Sequence, residues 1–331
     1  MLKTLYKCMN NNKIKYFNKY LSTLALIFFF IVLPLNAEAR GSNVDNISSS
    51  NNYSVNKLDF TLPFHLIDGY IFIDGQVNKK KGKFMFDTAA SFAFFLNNHF
   101  IPLAKDNYLS KGYTGSGQLL VLHTQNQPVS VNLTEQIKFA KLKSLPHSNF
   151  NFIENAVVKS FLGITGHAFN KDYLFIINYD DQTIEFHSLK QNDKSLSHYI
   201  DNNRIIAILP FIAKDDGRKP ELEFLIGTQK VTGIFDTGNP GSLTLTQDMK
   251  TRLENEGYLS VEKKDYSYGR YEPHLSCTLR KLMFNGHALN DIHNIQLRIG
   301  NKNELWLGYQ FLKSYISVWD YKNKIITLLE R

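Results

Sequence analysis

Two aspartates of this 331-residue chain stand in nearly the same local sequence. Asp87 follows Lys-Phe-Met-Phe, Asp236 follows Gly-Ile-Phe, and each is followed directly by threonine. Two carboxyl groups that are held close together cannot both ionise easily, so such a pair keeps one shared proton in acid. One carboxylate can then take a proton from a water molecule while the other carboxyl group donates one to a carbonyl oxygen. These residues therefore suit general acid–base hydrolysis, provided that the fold brings them together.

The sequence around each aspartate belongs to a longer internal repeat. Leu-Pro-Phe occurs at 62–64 and again at 209–211, and its leucine precedes the aspartate by 25 residues in the first copy and by 27 in the second. Segment 164–186 also aligns without a gap on segment 306–328. Chance similarity between strand-rich segments could produce one such match, but three matches in the same order predict two related halves.

The local patterns predict mostly β-structure in both halves. Each aspartate ends an apolar run that is typical of a buried strand, and the small residues after it are typical of a tight turn. Later in each half, an apolar–glycine element at 164–166 or 306–308 precedes a segment predicted as one helical turn, at 170–173 or 312–315. A longer helical pattern is predicted only within 244–257.

Together these motifs resemble those of aspartic proteases of the pepsin and retropepsin type, over most of residues 58–331. The resemblance implies an all-β fold with two β-barrel-like lobes related by a pseudo-twofold axis, and an active site in the cleft between them. The lobes would span residues 58–189 and 205–331, joined by a linker at 190–204. One chain would then complete the site, so the resemblance implies a monomer.

The resemblance also assigns roles to individual residues. Asp87 and Asp236 would be the catalytic pair of an aspartic endopeptidase, and its partner would be a peptide or protein substrate. The residues that would support the pair are Thr88, Ala89, Thr237 and Gly238.

A glycine-rich segment at 112–118 resembles the mobile hairpin that closes over the substrate in this family. Its glycines permit positive φ angles at the tip. The residues predicted to bind substrate there are Tyr113, Thr114 and Gly115. On the residues alone, an ordinary hairpin turn explains the segment equally well. In the second half, residues 266–273 match such a hairpin only poorly.

Two alanines depart from the family pattern. Ala89 stands where the family mostly has glycine, which disrupts the pair if the position needs a positive φ and is harmless, as we expect, in a β conformation. Ala90 lacks a hydroxyl that would stabilise the charged pair, so we expect a raised pKa and a mildly acidic to near-neutral optimum. The alternative function is a catalytically inactive peptide-binding protein that retains the fold. Two buried acids are costly in a protein without chemistry, which disfavours that alternative.

The N-terminal region predicts export. Residues 1–39 combine a basic stretch with an apolar run at 21–35 and small residues before Arg40, as in a cleaved signal peptide. An uncleaved membrane anchor through 21–35 is the alternative. The polar residues 40–57 are predicted as a disordered lead-in. After cleavage Cys277 is the one cysteine left, so we expect no internal disulfide and a periplasmic or secreted protein.

The formal charge of +8 does not predict nucleic-acid binding. The first 39 residues carry five lysines and one glutamate, so their removal leaves +4. No Cys/His cluster has the spacing of a metal site, so neither a metal nor a cofactor is expected. Ser116 and Ser242 lack the Gly-x-Ser-x-Gly context of a Ser–His–Asp enzyme. A phosphate loop at 112–118 would lack its lysine.

Overall fold

A computed structural model gives the fold and describes residues 59–114, 117–188, 200–214, 217–266 and 273–331. The predicted signal peptide or anchor, the lead-in at 40–57 and Gly115 lie outside the described residues. So do most of the predicted linker and the centre of the candidate hairpin at 266–273. Among the helices that the structure describes, none is long and apolar enough to cross a membrane.

The described residues form strands and short helices, which we number in chain order. The strands are β1 (Phe60–Ile67), β2 (Tyr70–Val77), β3 (Lys80–Phe86), β4 (Phe94–Asn97), β5 (Asn107–Tyr113), β6 (Leu119–Thr124), β7 (Val129–Asn132), β8 (Lys138–Leu142), β9 (Pro146–Ser148), β10 (Phe161–Thr165), β11 (Tyr173–Asn178), β12 (Thr183–Ser188), β13 (Ile205–Pro210), β14 (Ile212–Lys214), β15 (Lys219–Ile226), β16 (Gln229–Phe235), β17 (Ser242–Leu245), β18 (Leu259–Tyr266), β19 (Pro273–Leu279), β20 (Leu282–Phe284), β21 (His287–Ala288), β22 (Ile292–Ile299), β23 (Glu304–Leu307), β24 (Ile316–Asp320) and β25 (Ile325–Leu329). The helices are α1 (Asn151–Ala156), α2 (His167–Asn170), α3 (Gln247–Asn255), α4 (Tyr309–Leu312) and a 3₁₀ turn at Asn202–Arg204.

Within the described ranges, the strands join two sheets. The larger sheet has the order β13-β25-β24-β11-β12-β1-β2-β3-β10-β4-β9-β6-β5, with β7 and β8 attached beside β2. The smaller sheet has the order β18-β19-β22-β17-β23-β16-β15-β20-β21, with β14 beside β15. The prediction of an all-β protein is therefore confirmed. The finer prediction of two acid-protease lobes, with its domain boundaries, stays a prediction.

The internal repeat of the sequence recurs in the strand pairing around each aspartate. In the first half, β10 lies between β3, to which it is parallel, and β4, to which it is antiparallel. In the second half, β23 lies in the same way between β16 and β17. Each aspartate follows directly on the strand that is parallel to the central one, β3 or β16, and the last three residues of that strand are buried. The same three-strand unit therefore presents Asp87 in one half and Asp236 in the other.

The spacing difference between the two repeats is explained by one turn. Two residues, 68–69, connect β1 to β2, whereas four residues, 215–218, connect β14 to β15. Gly69, in the shorter turn, lies against the other half: a Cβ atom added there would be 3.1 Å from the ring of Tyr309. In the longer connection, Gly217 and Arg218 lie next to His167 and Ser91 of the first half.

The two halves meet where β11 pairs with β24 in antiparallel register. Ile176 pairs with Val318, and these two residues also occupy equivalent positions of the internal repeat. The pairing is therefore symmetric about this point, because exchanging the two halves reproduces the same register. Next to it, Phe175 stacks on Trp319 with ring centroids 5.5 Å apart.

Aromatic packing joins this seam to both aspartate-bearing strands. Phe86 packs edge-on against Phe175 with a centroid distance of 5.8 Å, and Phe235 packs edge-on against Trp319 at 5.9 Å. Phe86, Phe175, Phe235 and Trp319 are fully buried. Large buried aromatic surfaces dominate the energetics of such a core. The residue before each aspartate is therefore fixed against the strand pair that joins the halves.

The helical predictions are confirmed in part. Helix α3 lies inside the predicted 244–257 segment, and its N-cap Thr246 accepts a hydrogen bond from the Met249 N–H. The predictions of single helical turns at 170–173 and 312–315 are wrong, because α2 and α4 begin directly after their glycines and occupy the preceding residues. Gly166 and Gly308 pack closely on the aspartate turns, and the helical turn begins at the residue that follows each glycine.

Candidate active site

Both aspartates are held by the same backbone contacts. The N–H of Asp87 donates to the carbonyl of Thr165, and the N–H of Asp236 donates to the carbonyl of Leu307, at distances of 2.9 and 3.2 Å. Those carbonyls belong to the last residues of β10 and β23, the parallel partner strands. Each aspartate therefore stands at the carboxyl end of a strand pair, where the backbone is fixed on both sides.

The glycine of each apolar–glycine element lies against the aspartate turn of its own half at very short range. A Cβ atom added at Gly308 would overlap the carbonyl of Asn239, and one at Gly166 would overlap the carbonyl of Ala90. Because no larger side chain fits, these two glycines let the strand and the aspartate turn approach each other. The apolar–glycine elements at 164–166 and 306–308 therefore pack closely against the aspartate turns.

Two threonines interlock beneath the pair. The N–H of Thr88 donates to Thr237 Oγ1 at 3.0 Å, and the N–H of Thr237 donates to Thr88 Oγ1 at 3.1 Å. Thr237 Oγ1 also donates to the carbonyl of Phe86 at 2.9 Å. Both threonines are buried, so these bonds are shielded from water. The reciprocal contact ties one aspartate turn to the other across the seam.

The carboxyl groups are held by backbone N–H groups on their own turns. Asp87 Oδ1 accepts hydrogen bonds from Ala89 at 2.9 Å and from Ala90 at 3.0 Å, and Asp236 Oδ1 accepts one from Gly238 at 2.8 Å. The two carboxyl groups also lie within hydrogen-bonding reach of each other. The structure thus brings together the predicted pair and all four predicted supporting residues.

Burial dominates the electrostatics of the pair. Asp87 is 1% exposed and Asp236 is 2% exposed, and loss of solvation raises the pKa of both carboxyls. The charge of Asp87 raises the pKa of Asp236 further, so Asp236 stands well above its ordinary range. At Asp87 the hydrogen bond with Asp236 and the N–H groups of Ala89 and Ala90 oppose the shift. The pair therefore retains one shared proton as the pH rises above the ordinary range of a carboxyl group.

The shared proton makes stability depend on pH. Because the pKa of each carboxyl is raised in the folded state, its contribution is fully present below the unfolded value of 3.8 and is lost as the pH rises through the folded-state pKa. We therefore expect Asp236→Asn to become more stable relative to wild type as the pH rises above about 4. Urea unfolding at several pH values measures the two unfolding free energies. A difference that does not vary with pH would contradict the shared proton.

The alanine at position 89 fits its place. Ala89 is not among the non-glycine residues with positive φ, and its N–H still donates to Asp87. By contrast, a Cβ atom added at the equivalent Gly238 would lie only 2.5 Å from Asp87 Oδ2. The two positions of the repeat are therefore not interchangeable, and the expectation that Ala89 adopts an ordinary backbone conformation agrees with the structure.

The interlocked threonines should contribute strongly to stability. Thr237→Val would leave the buried Thr88 N–H and Phe86 carbonyl without their partner, at a cost of about 1–3 kcal/mol for each group. Thr165→Val is the matched control, because Thr165 Oγ1 is buried near the pair and has no hydrogen-bond partner among the described residues. Urea unfolding should show a large loss for the first variant and none for the second. Equal effects would mean that the interlock is energetically unimportant.

Three residues near the pair escaped the sequence analysis. The hydroxyl of Tyr321 donates to the Arg218 carbonyl at 3.4 Å, and burial raises the pKa of Tyr321 well above its ordinary value, so it stays protonated. Arg218 and Lys219, at the start of β15, carry positive charges that act on Asp87 and Asp236 respectively. The longer turn before β15 was the signal in the sequence that could have drawn attention to the two cations.

The glycine-rich segment does form a hairpin. Strands β5 and β6 pair with Tyr113 opposite Leu119, and the N–H of Thr114 donates to the carbonyl of Gln118 at 2.9 Å. Tyr113 is 45% exposed, whereas Thr114 is buried and bonds the Gln118 side chain. Contact between this hairpin and a substrate stays a prediction, and Gly115 lies outside the described residues.

Comparison with known proteins does not place the chain in a family. No protein-family model matches it, and no curated protein matches it. Among solved structures, it is similar to basic 7S globulin from soybean, with 10% sequence identity and a TM-score of 0.49, over 82% of this chain and 94% of that chain.

These findings correct the family assignment. The resemblance of the motifs to pepsin- and retropepsin-type proteases was wrong as an identification of the chain, because no family model and no curated protein matches it. Short motifs around two aspartates were not sufficient to define a family. The function must therefore be argued from the site alone.

Proposed function

We propose that the chain binds peptides and hydrolyses a peptide bond with a water molecule activated between Asp87 and Asp236. The observation that carries the proposal is the reciprocal threonine interlock, because it holds two buried carboxyl groups within reach of each other. A pair with one shared proton contains the base and the acid that amide hydrolysis needs. A protein partner is not needed to complete the pair, so we expect a monomer acting on a peptide or protein substrate.

The symmetry of the contacts supports two lobes related by a pseudo-twofold axis, which we include in the proposal. The self-consistent register of β11 with β24 and the reciprocal threonine bonds are what a pseudo-twofold axis through the seam would produce. Two lobes, at 58–189 and 205–331, would then face each other across a cleft that contains the pair. We also propose that the N-terminal segment 1–39 directs export of the protein.

The test is turnover of a broad fluorogenic peptide library by the purified protein between about pH 3 and about pH 8. The same assay is run with a statine-type inhibitor, whose hydroxyl group imitates the tetrahedral intermediate. Cleavage that the inhibitor blocks, with a pH profile of two apparent pKa values belonging to the pair, is the expected result. A folded protein that cleaves nothing in the library would overturn the hydrolytic part of the proposal.

The second candidate is peptide binding without hydrolysis. It is favoured by the burial of the pair, because Asp87 and Asp236 are only 1% and 2% exposed and water must still reach them. A protein of this kind would bind the inhibitor or a peptide and release it unchanged. Isothermal titration calorimetry, combined with mass spectrometry of the recovered peptide, separates the two candidates.

A further inference from the structure

A row of polar side chains crosses four neighbouring strands of the larger sheet. Lys81 of β3 lies opposite Gln76 of β2. Gln76 in turn lies opposite Asn132 of β7, which lies opposite Lys138 of β8. Residues directly opposite each other in antiparallel strands point to the same face of the sheet. This set, which we call the polar row, therefore places two amides between two lysines whose strands are about 14 Å apart.

The polar row faces solvent and is supported from behind by the core. Its two lysines are exposed and its two amides are half-buried. The next residues along these strands, Val77, Val131 and Phe139, are buried, because successive residues of a strand point to opposite faces. The side-chain nitrogen of Gln76 donates to the carbonyl of Asn78, which fixes that amide. The polar row is thus an outward surface on a packed sheet.

Further lysines flank the polar row. Lys79 and Lys80 are exposed in the hairpin that β2 and β3 form, and Lys141 is exposed on β8. The Lys80 ammonium group lies 5.2 Å from the centre of the half-buried Phe100 ring, a contact that restrains it at the surface. Together with the two lysines of the polar row, these residues bring five exposed cations to two neighbouring hairpins, 70–86 and 129–142.

Few acids oppose these cations. The two hairpins contain two acidic residues, Asp74 and Glu135. Asp74 lies 2.8 Å from Lys83 and 2.8 Å from His65, so its charge is balanced locally. Glu135 is exposed in the connection between β7 and β8. The charge of one glutamate therefore stands against five exposed lysines, and the surface attracts a ligand that carries several negative charges.

The form of this surface favours a polysaccharide with acidic groups. Lysine acts as a point charge toward an anion, while an amide both donates and accepts hydrogen bonds and so suits sugar hydroxyl groups. Single-stranded nucleic acids stack on aromatic side chains, and membrane surfaces take up exposed apolar side chains. Among the described residues, the large apolar side chains that are exposed lie on other strands, such as Tyr108 on β5 and Ile212 on β14.

We propose that the polar row and its flanking lysines bind an extended acidic polysaccharide. The lysines contact its anionic groups, and Gln76 and Asn132 contact its hydroxyl groups. The surface lies at the opposite end of β3 from the aspartate pair, because six residues, about 20 Å of strand, separate Lys81 from Asp87. The polysaccharide therefore holds the protein without covering the pair, and the inference does not depend on hydrolysis.

The experiment measures binding of the purified protein to two acidic polymers, polygalacturonate and dextran sulfate, with neutral dextran as the reference. Wild type should bind an acidic polymer and not neutral dextran, and its affinity should fall steeply as salt is added. Combining Lys81→Gln with Lys138→Gln should weaken binding about 10-fold or more. The matched control combines Lys322→Gln with Lys324→Gln, which removes two exposed lysines from the hairpin between β24 and β25. It should stay within about twofold of wild type.

A second variant tests the centre of the polar row without removing a lysine. Asn132→Asp keeps the shape of the side chain and places a negative charge between the cations, so it should also weaken binding of the acidic polymers. It replaces the double lysine variant if that protein does not fold. Asp236→Asn should bind like wild type, because the surface is remote from the aspartate pair.

Three results would overturn the inference. The first is a wild-type protein that binds neither acidic polymer. The second is unchanged binding in the variants of the polar row, which would mean that the polymer binds elsewhere on the chain. The third is tighter binding of wild type to double-stranded DNA or to phosphatidylglycerol vesicles than to either polymer, which would assign the surface to a nucleic acid or to a membrane.

Discussion

Asp236→Asn is expected to reduce peptide cleavage by about 10³-fold or more while the protein stays folded and becomes more stable near neutral pH. The asparagine can still accept the hydrogen bond from Gly238 through its Oδ1 atom and can donate to Asp87 through its amide nitrogen. What the substitution removes is the titratable proton and the repulsion between two buried carboxylates. Activity is measured with the best library peptide, and stability is measured by thermal unfolding at several pH values.

A buried aspartate outside the pair provides the control. Asp320 is 8% exposed and accepts hydrogen bonds from the backbone and side chain of Asn323, at 2.9 and 2.7 Å. Asp320→Asn should therefore lose stability and keep its cleavage activity. Retention of cleavage in Asp236→Asn, or an equal loss in both variants, would show that the pair is not the catalytic centre.

Gly238→Ala is expected to reduce cleavage by more than about 100-fold, because a misplacement of about 1 Å at reacting groups has an effect of that size. The new methyl group would lie 2.5 and 2.7 Å from the two carboxylate oxygens of Asp87. Ordinary contacts between carbon and its neighbours are about 3.5 Å or longer, so the Asp87 side chain or the turn must move. The threonine interlock beneath opposes that movement, and the unfolding free energy should fall as well.

The equivalent change in the other half is the control, made in the reverse direction. Ala89→Gly should change cleavage by no more than about threefold and lower the unfolding free energy by about 0.5–1 kcal/mol through the greater freedom of glycine. A strong gain of activity in Ala89→Gly would mean that the alanine impairs the pair. Normal activity in Gly238→Ala would mean that the Asp87 and Asp236 turns can move apart without a loss of cleavage. Either result would contradict the asymmetry between the two positions.

The duplicated aspartate motif was predictable because strand, acid and threonine are adjacent in the sequence and recur in order. The mostly β content was predictable for the same reason, since the apolar runs that end at Phe86 and Phe235 are local patterns. The motif alone was not sufficient for the family, because a few residues around two acids do not describe a whole chain. The short helices were misplaced because their start is set by the close approach of Gly166 and Gly308 to the aspartate turns, which is a tertiary contact.

The cations beside the pair could not be predicted from periodicity. Arg218 contacts Ser91 across 127 positions of sequence, and the hydroxyl of Tyr321 donates to the Arg218 carbonyl across 103 positions. Charged and aromatic residues at strand ends are common, so nothing local distinguishes these from solvent-exposed ones. The two extra residues in the β14–β15 connection were the available signal, and only the folded arrangement gives them meaning.

The symmetric pairing of β11 with β24 has a consequence for synthesis on the ribosome. The chain is made from its N-terminus, so the first half can fold long before Ile316–Asp320 exists. Until then β11 presents an open edge of backbone donors and acceptors, with Phe175 uncovered by Trp319. The register that suits β24 also suits a second copy of β11, because it is symmetric about Ile176 and Val318. Neighbouring nascent chains would therefore tend to associate at this edge until β24 has been made and covers it.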